Sequence, residues 1–308
     1  PEKIQNVARR VASYAAEGHR MVVVVSAMGK TTDSLVALAS AITPTPDPRE
    51  MDMLLATGEQ VTIGLLAMAL TALGRPASSF TGPQVGLVTD TAHTRARIRR
   101  ITGERIMAAL EAGRIAVVAG FQGATEGGDI TTLGRGGSDL TGVALAAALK
   151  ADVCEIFTDV DGVSTADPNL VPDARKLARV SYDEMLEMAS LGAQVMHSRS
   201  IELGKNYDVR IHVRSSMTDA KGTSIVKETA DMEQIIVRGA ALRKNLARVV
   251  LSNVPNGPGT AAQLFAAVAE KAILVDDIMQ SVDGHGAAAT ISFTVDSGEV
   301  ASVRPVVE

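Results

Sequence analysis

Short, β-branched apolar runs alternate with helical periodicities over roughly the first 225 residues, and no other feature constrains the fold as strongly. Met21 to Val25, Ala77 to Phe80, Gly86 to Val88, Ile115 to Ala119, Val153 to Thr158 and Val209 to Val213 read as strands. Pro1 to Gly18, Ser34 to Ala41, Met51 to Leu73, Arg99 to Ala112, Leu140 to Leu149, Ser181 to Ala189 and Val195 to Lys205 read as helices. Gly120 to Asp129 reads as a glycine-rich loop. This order predicts an α/β fold, a three-layer αβα sandwich with a mainly parallel sheet. Ligands of such sheets sit at the carboxyl ends of the strands. The loops after Val25, Ala119 and Phe157 lie at such ends.

One of these junctions concentrates chemistry. After the strand Ile115 to Ala119 the chain reaches Thr131-Thr132-Leu133-Gly134-Arg135-Gly136-Gly137-Ser138-Asp139 and then an alanine-rich helix. Glycines let backbone N–H groups approach an anion closely, and a helix start adds unpaired N–H groups and a positive dipole end. Ser138 and Asp139 are good N-cap residues. Arg135 is planar and suits a two-pronged contact to carboxylate or phosphate. Taken alone, the stretch also fits an ordinary strand–helix turn with a surface arginine. It is neither a Walker A loop nor a dinucleotide fingerprint.

Composition narrows the function. The chain has 308 residues, 46% of them apolar, which gives a prior of two domains. Aromatics are 3%, with no Trp, and the net charge is −5, so nucleic acid is not an expected partner. The single cysteine, Cys154, excludes an intramolecular disulfide and fits a reducing, cytoplasmic compartment. The apolar runs fall short of a membrane span, and no signal peptide is recognised. His19, His93, His197, His212 and His285 lack metal-ligand spacing, so no metal site is assigned. The cluster Arg95, Arg97, Arg99, Arg100 and Arg105 reads as a solvated face.

A second pattern starts near Ile235. Ala247 to Leu251 reads as a strand, Asn253 to Gly259 as a turn, and Thr260 to Lys271 as a helix. Ile273 to Gln280 and Ala288 to Val295 read as two further strands. This is a partial ferredoxin-like βαββ module, with the chain stopping where a second helix and fourth strand are expected. The expected domains are residues 1–228 and 229–308.

Four loops now stand together: Ser26 to Asp33, Thr57-Gly58-Glu59-Gln60, Thr132 to Asp139, and Thr158 to Pro168. With the motifs Val24-Val25-Ser26-Ala27-Met28-Gly29, Leu55-Ala56-Thr57-Gly58-Glu59-Gln60, Val118-Ala119-Gly120-Phe121-Gln122-Gly123, Leu133 to Asp139 and Thr158-Asp159-Val160-Asp161-Gly162-Val163, the sequence resembles the aspartate kinases of the amino-acid kinase superfamily. The C-terminal part resembles an ACT module, the amino-acid-sensing domain of these kinases. The resemblance covers nearly the whole chain.

The resemblance implies a carbamate kinase-like fold and ATP-dependent phosphorylation of the L-aspartate β-carboxylate, with Mg²⁺, in lysine, threonine and methionine biosynthesis. A carboxylate with a pKa of about 3.9 is already ionised at neutral pH and needs no general base. The task is to bring two anions together by positioning and charge neutralisation. Helical spacing puts Leu55, Thr62, Leu66 and Leu73 on the side of Glu59, so its carboxylate wants a cation, in an ion pair or from a ligand.

By resemblance Glu59 holds the α-ammonium of aspartate and Arg135 its α-carboxylate, with Thr32, Gly136, Gly137, Ser138 and Asp139 completing the pocket. Arg135, Glu59 and Ser138 are the implied catalytic residues. Ser26, Thr158, Asp159, Ser164, Asp167 and Pro168 are the implied nucleotide residues. Asn256, Pro258, Gly259, Thr260 and Gln280 are implied to hold a lysine or threonine effector, at an interface between ACT modules that makes the protein a homo- or hetero-oligomer.

The sequence departs from the family at several points. Ser164 stands where the family usually has Tyr, and Asn169 where an Arg is common. The family opens with a strand ending in Lys-Phe-Gly-Gly-Thr-Ser, whose lysine bridges the transferring phosphate, and nothing from Pro1 onward matches it. A second ACT module is likewise expected beyond Glu308. The alternatives are another amino-acid kinase, acting on glutamate, carbamate or a nucleotide monophosphate, and an inactive amino-acid-binding fragment.

Overall fold

The computed structural model describes residues 2–193, 195–228, 239–271, 273–282, 284 and 286–308. Two of the expectations, the start of the second pattern near Ile235 and His285, lie outside them. The chain forms two compact units, Pro1–Ala241 and Leu242–Glu308. The boundary expected after residue 228 adjoins residues outside the description.

The first unit begins with α1 (Glu2–Ala16), β1 (Val22–Val25), α2 (Thr31–Ile42), α3 (Pro48–Leu55) and α4 (Thr57–Ala72). β2 (Ala77–Phe80), β3 (Leu87–Thr89), β4 (Ile98–Ile101) and α5 (Glu104–Glu111) follow. Next come β5 (Ile115–Ala119), the hairpin β6 (Gln122–Ala124) and β7 (Ile130–Thr132), α6 (Gly137–Leu149) and β8 (Cys154–Thr158). The unit closes with β9 (Arg179–Ser181), α7 (Tyr182–Ser190), α8 (Ser198–Asn206), β10 (Ile211–Ser215) and β11 (Thr223–Val226).

β5 is the centre of the parallel sheet β1-β5-β2, and every residue of it is buried. Alternate side chains of a strand point to opposite faces. Ile115, Val117 and Ala119 therefore pack with Ala8 and Val11 of α1 and with Ile63, Leu66 and Leu70 of α4. Ala116 and Val118 pack the other way, with Ile106 of α5 and Leu145 of α6. Those are the three layers. Val117 and Val118 are completely buried, and each contributes about 1.5–3 kcal/mol by leaving water.

A second sheet, β8-β10-β11-β9, pairs β8 with β10 and β9 with β11 in parallel, and β10 with β11 antiparallel. Its core joins Ile211, Val213 and Ile225 to Tyr182 and Met185 of α7 and Ile201 of α8. A third, β4-β3-β6-β7, is mixed and leads through β7 into the glycine-rich junction.

Several expectations need correction. The helix expected over Met51 to Leu73 is two helices that break at Ala56. The Ala56 carbonyl accepts instead from Gln122 Nε2 at 2.8 Å, a tertiary contact that no local sequence signal announces. Together α3 and α4 make a 25-residue stretch, Pro48–Ala72, long and apolar enough by composition to cross a bilayer. Counting uninterrupted apolar runs missed it, because Thr57 to Gln60, Thr62 and Gly64 interrupt the runs while lowering the average hydropathy only mildly. Its packing is that of a core helix pair: Ile63, Leu66 and Leu70 are buried against the sheet, and Asp52 and Glu59 are buried too.

The helix expected over Arg99 to Ala112 starts only at Glu104. Gly103, at φ +67, stops the helix, and the segment before it, Ile98–Ile101, pairs antiparallel with β3 as β4. The glycine-rich loop Gly120 to Asp129 contains β6 and leads into β7. Ser138 and Asp139 are not N-caps. Gly136, at φ +70, caps α6, which puts them in its first turn.

The second unit consists of β12 (Leu246–Pro255), α9 (Thr260–Glu270), β13 (Asp276–Val282), β14 (Ala288–Asp296) and α10 (Val300–Val307). Its sheet, β12-β14-β13, is antiparallel. That is the strand order of a split βαβ module. The turn expected at Asn253 begins later, because β12 runs through a bulge between Leu251 and Val254 with Asn253 at φ +59. The second helix, expected to be missing, is present as α10. Its valine-rich segment and internal Pro305 conceal it, but Val303 is buried with Val268 and Phe293.

Candidate active site

A pocket of about 280 Å³ opens where the carboxyl ends of β1 and β5 meet the amino end of α6. Close backbone approach builds it. A Cβ on Gly120 would lie 2.8 Å from Ser138 Oγ, and one on Gly137 would lie 2.8 Å from the Phe121 ring. Only glycine lets the end of β5 meet the first turn of α6 at this distance. Phe121 itself holds φ +68, a sparsely populated conformation for an aromatic residue, and its N–H donates to Thr141 Oγ1 at 3.1 Å. α6 starts without a side-chain cap; the Gly137 N–H donates to the Gly134 carbonyl at 3.0 Å, which leaves the N–H groups of Ser138 and Asp139, two residues that line the pocket, as an anion site.

Glu59 sits in the first turn of α4 and is 3% exposed. Gly58 lets the loop after β1 come close, since a Cβ there would lie 2.9 Å from Ala27 Cβ. The Ala27 N–H can then donate to Glu59 Oε1 at 3.0 Å. Glu59 Oε2 is buried without a partner among the described residues. Burial raises the pKa of this carboxyl, against the lowering effect of its backbone hydrogen bonds. A buried carboxylate oxygen left open toward a pocket is a site for a cation.

Arg135 lines the same pocket and makes no hydrogen bond or ion pair among the described residues. Its loop is braced by α8. His197 packs on Gly136, where a Cβ would lie 2.4 Å from the His197 Cβ. Arg199 donates to the carbonyls of Leu133, at 2.7 Å, and Ala96, at 3.0 Å. Burial, then the charges of Arg199 and Arg135, lower the His197 pKa, so it stays neutral at neutral pH. Asp139 carries a carboxyl pushed up to about 6 by burial. Behind it the buried Cys154 thiol is pushed up to about 12 by burial, with Asp139 and Glu155 adding to the shift, which leaves it inert.

Of the residues singled out in the sequence, Ser26, Thr32, Glu59, Arg135, Gly136, Gly137, Ser138 and Asp139 line this one pocket. Thr158, Asp159, Ser164, Asp167 and Pro168 do not. Thr158 Oγ1 donates to Asp159 at the end of β8, Ser164 forms a bridge with Lys176, and Asp167 accepts from Asn169 within its own turn. In the second unit Gln280 Nε2 donates to Asn256 Oδ1 at 3.4 Å, and Gly259 opens α9 at φ +90 with no side-chain cap. Sequence reading missed the pocket roles of Ala27 and Phe121, which act through backbone geometry. Among the described residues no group of three or more His, Cys, Asp or Glu could hold a metal ion.

The sheet and pocket together define an α/β protein with a two-charged pocket for a small molecule at the ends of its parallel strands. The sequence profile of the amino acid kinase family matches residues 1–215. An aspartokinase of Thermus thermophilus is 52% identical over 284 residues, covering 92% of this chain and 70% of its own length. One of Geobacillus stearothermophilus is 51% identical over 308 residues, covering 100% and 75%. Among solved structures, aspartate kinase from Synechocystis has a TM-score of 0.67 at 45% identity, over 99% of this chain and 52% of that one. E. coli aspartokinase III with aspartate and ADP has a TM-score of 0.72 at 29% identity, over 86% and 59%. The same enzyme with lysine and aspartate gives 0.70 at 28% identity, over 89% and 63%. The chain belongs to the amino acid kinase family and, within it, to the aspartokinases.

Proposed function

We infer that this chain carries the catalytic unit of an ATP-dependent kinase that phosphorylates the β-carboxylate of L-aspartate, an early step of amino-acid biosynthesis. One observation carries the reading: a buried, half-satisfied carboxylate, Glu59, shares a pocket with an arginine that has no ion pair among the described residues. An anion and a cation held in one pocket select a molecule bearing both an ammonium and a carboxylate. The aspartate seen in complexes of E. coli aspartokinase III fits that description.

The division of labour follows. Glu59 Oε2 takes the α-ammonium and Arg135 the α-carboxylate in a two-pronged contact. The β-carboxylate is ionised, so the chain supplies position and positive potential instead of a base. The first-turn N–H groups of α6, together with Ser138, face the negative charge that gathers during transfer. Thr32 closes the pocket beside them.

The nucleotide reading rests on the ADP complex of E. coli aspartokinase III and on the residues at the end of β8. Thr158, Asp159, Ser164, Asp167 and Pro168, with Ser26 after β1, would hold it. Mg²⁺ bound through phosphates needs only one or two protein carboxylates, which agrees with the lack of a dedicated cluster among the described residues. Asp139, whose carboxylate makes no hydrogen bond among the described residues, is the pocket carboxylate available to it. When bound, the ion supplies charge neutralisation between the two anionic reactants. In the second unit, Asn256, Pro258, Gly259, Thr260 and Gln280 form an effector site for lysine or threonine, completed by another ACT module in an oligomer. The buried, unpaired Cys154 fits a cytoplasmic setting.

The test is ADP release by the full-length gene product with L-aspartate, L-glutamate, carbamate and nucleoside monophosphates as acceptors, beside calorimetric titration of this chain with L-aspartate. Aspartate-dependent ADP release is expected, and activity with another acceptor alone would overturn the reading. Aspartate binding without ADP release in any reaction would identify a binding module instead.

A further inference from the structure

Asp52 lies outside the pocket and is completely buried. Its carboxylate fastens two segments to α3. Oδ2 lies 2.8 Å from His93 Nδ1, the Thr94 N–H donates to both oxygens at 3.0 Å, and Thr132 Oγ1 donates to Oδ1 at 2.5 Å. Thr94 is a β-branched residue at φ +66, a conformation that costs free energy and persists only when its surroundings hold it. Asp52 supplies that hold. Thr94 in turn abuts the junction, since a Cβ on Gly134 would lie 3.1 Å from the Thr94 carbonyl oxygen. The Ala96 N–H donates to the Thr132 carbonyl at 2.9 Å, laminating the turn to β7.

The position of Asp52 in the chain gives these contacts a consequence. Asp52 is on α3, and α3 runs through the break at Ala56 into the turn of α4 that carries Glu59. Thr132 is three residues before Arg135. Directly opposite Thr132 in the hairpin stands Gln122, whose side chain holds the Ala56 carbonyl. The hairpin leading to Arg135 is thus tied to the helix pair leading to Glu59 by two buried polar contacts, one on each side of the ladder.

We propose that Asp52 is a positioning residue that fixes the separation between Glu59 and Arg135, and so sets how tightly the pocket grips the α-ammonium and α-carboxylate of its acceptor. The proposal rests on the aspartate kinase reading above. It requires that loosening Asp52 weaken acceptor binding while leaving the nucleotide side untouched.

The experiment is steady-state kinetics and amide hydrogen exchange on the full-length gene product. Asp52→Asn keeps the volume and removes the charge that holds three donors. Its KM for L-aspartate is expected to rise at least about tenfold. Its kcat and its KM for ATP are expected to stay within about threefold. Exchange at residues 94–96 and 133–136 is expected to quicken while that of α4 is retained. Thr132→Val should act in the same direction, Thr132→Ser should restore the parent behaviour, and the double variant should be no worse than Asp52→Asn alone. If Asp52→Asn does not fold, the Thr132 pair decides by the same readouts. An unchanged KM for aspartate, or a uniform loss across both substrates and kcat, would overturn the proposal. If the parent protein shows no aspartate-dependent turnover, the functional reading fails by itself, and exchange at 133–136 still decides whether Asp52 holds the loop.

Discussion

The backbone N–H of Ala27 donates to Oε1 of Glu59 at 3.0 Å, and Oε2 of the same carboxylate is buried with no partner among the described residues. The hydrogen bond orients the carboxylate. The open oxygen makes it costly to keep charged until a cation arrives. Burial raises the folded-state pKa of Glu59. A raised carboxyl pKa adds stability below the unfolded value and loses it as pH rises through the folded one. The ligand-free protein therefore carries this cost at neutral pH.

Glu59→Gln should accordingly do two opposite things. It removes a buried, half-paired charge, so the melting temperature of the ligand-free protein at pH 8 should rise. It also removes the ammonium partner, so aspartate affinity should fall by about 2–3 kcal/mol. Thermal melts with and without aspartate read both effects. A variant that is destabilised, or that binds aspartate as well as the parent, would refute the assignment.

Arg135→Lys keeps the charge and loses the planar fork. The KM for aspartate should rise by about 10- to 100-fold, the equivalent of a charge-assisted contact worth roughly 1.5–3 kcal/mol. The KM for ATP should barely move. Initial-rate kinetics with each substrate varied separately check this, and unchanged aspartate kinetics would remove Arg135 from the pocket.

Gly136→Ala tests the geometry of the junction. The backbone there holds φ +70, and the new Cβ would lie 2.4 Å from the His197 Cβ. Left-handed backbone alone costs about 1–2 kcal/mol, and the collision adds to it. Denaturant melts should show a loss of at least about 2 kcal/mol, and aspartate titration a matching loss of affinity. His197→Gly in the same chain should recover part of the stability, because it removes the Cβ that collides.

What was legible in the sequence, and what was not, follows from where the information lies. Ile115–Ala119 announced itself because a strand covered on both faces is apolar at every position. Glu59 and Arg135 stood out because a charge inside an apolar or glycine-rich frame is chemically conspicuous. The hairpin β6–β7 was hidden, since Gln122-Gly123-Ala124 has no β-branched residue and its pairing comes from a partner six or more residues away. The break at Ala56 was hidden because Ala56-Thr57 reads as helix, and the side chain that holds its carbonyl lies 66 positions away. Asp52 gave only one hint, its helical spacing to Leu55 and Glu59. Its partners His93, Thr94 and Thr132 are 41, 42 and 80 positions distant.

Asp139 makes a pH-dependent prediction. Burial pushes its carboxyl up to about 6 from an ordinary 3.8. Its contribution to stability is therefore fully present below pH 3.8 and is lost as pH rises through 6. Asp139→Asn removes that loss, which the size of the shift puts at about 3 kcal/mol at most. The variant should melt several degrees above the parent at pH 8 and about equally at pH 4. If Asp139 serves the nucleotide's ion, the same variant should lose turnover while keeping aspartate binding. Melts at the two pH values, with calorimetric titration of aspartate, check both parts. Equal melting temperatures at pH 8 would show that the carboxyl is not held at a raised pKa.

The last prediction concerns the second unit. Gln280 on β13 and Asn256 at the end of β12 touch at 3.4 Å, and Asn256 also donates to the Gly286 carbonyl at 3.0 Å. Beside them α9 opens at Gly259 without a side-chain cap, and with the Thr260 N–H donating to the Gly257 carbonyl, those of Ala261 and Ala262 are available to a carboxylate. Gln280 can offer a donor and an acceptor to the rest of an amino acid. Gln280→Ala in the full-length gene product should weaken inhibition by lysine or threonine at least about tenfold, a coupling loss of roughly 1.4 kcal/mol. Uninhibited turnover should change by less than about twofold, because effector coupling is separable from chemistry. Thr260→Val, which keeps the helix start and removes only a hydroxyl, should have a smaller effect of the same sign. Inhibition curves with each amino acid read the outcome. Full inhibition of Gln280→Ala by whichever amino acid inhibits the parent would place the effector elsewhere.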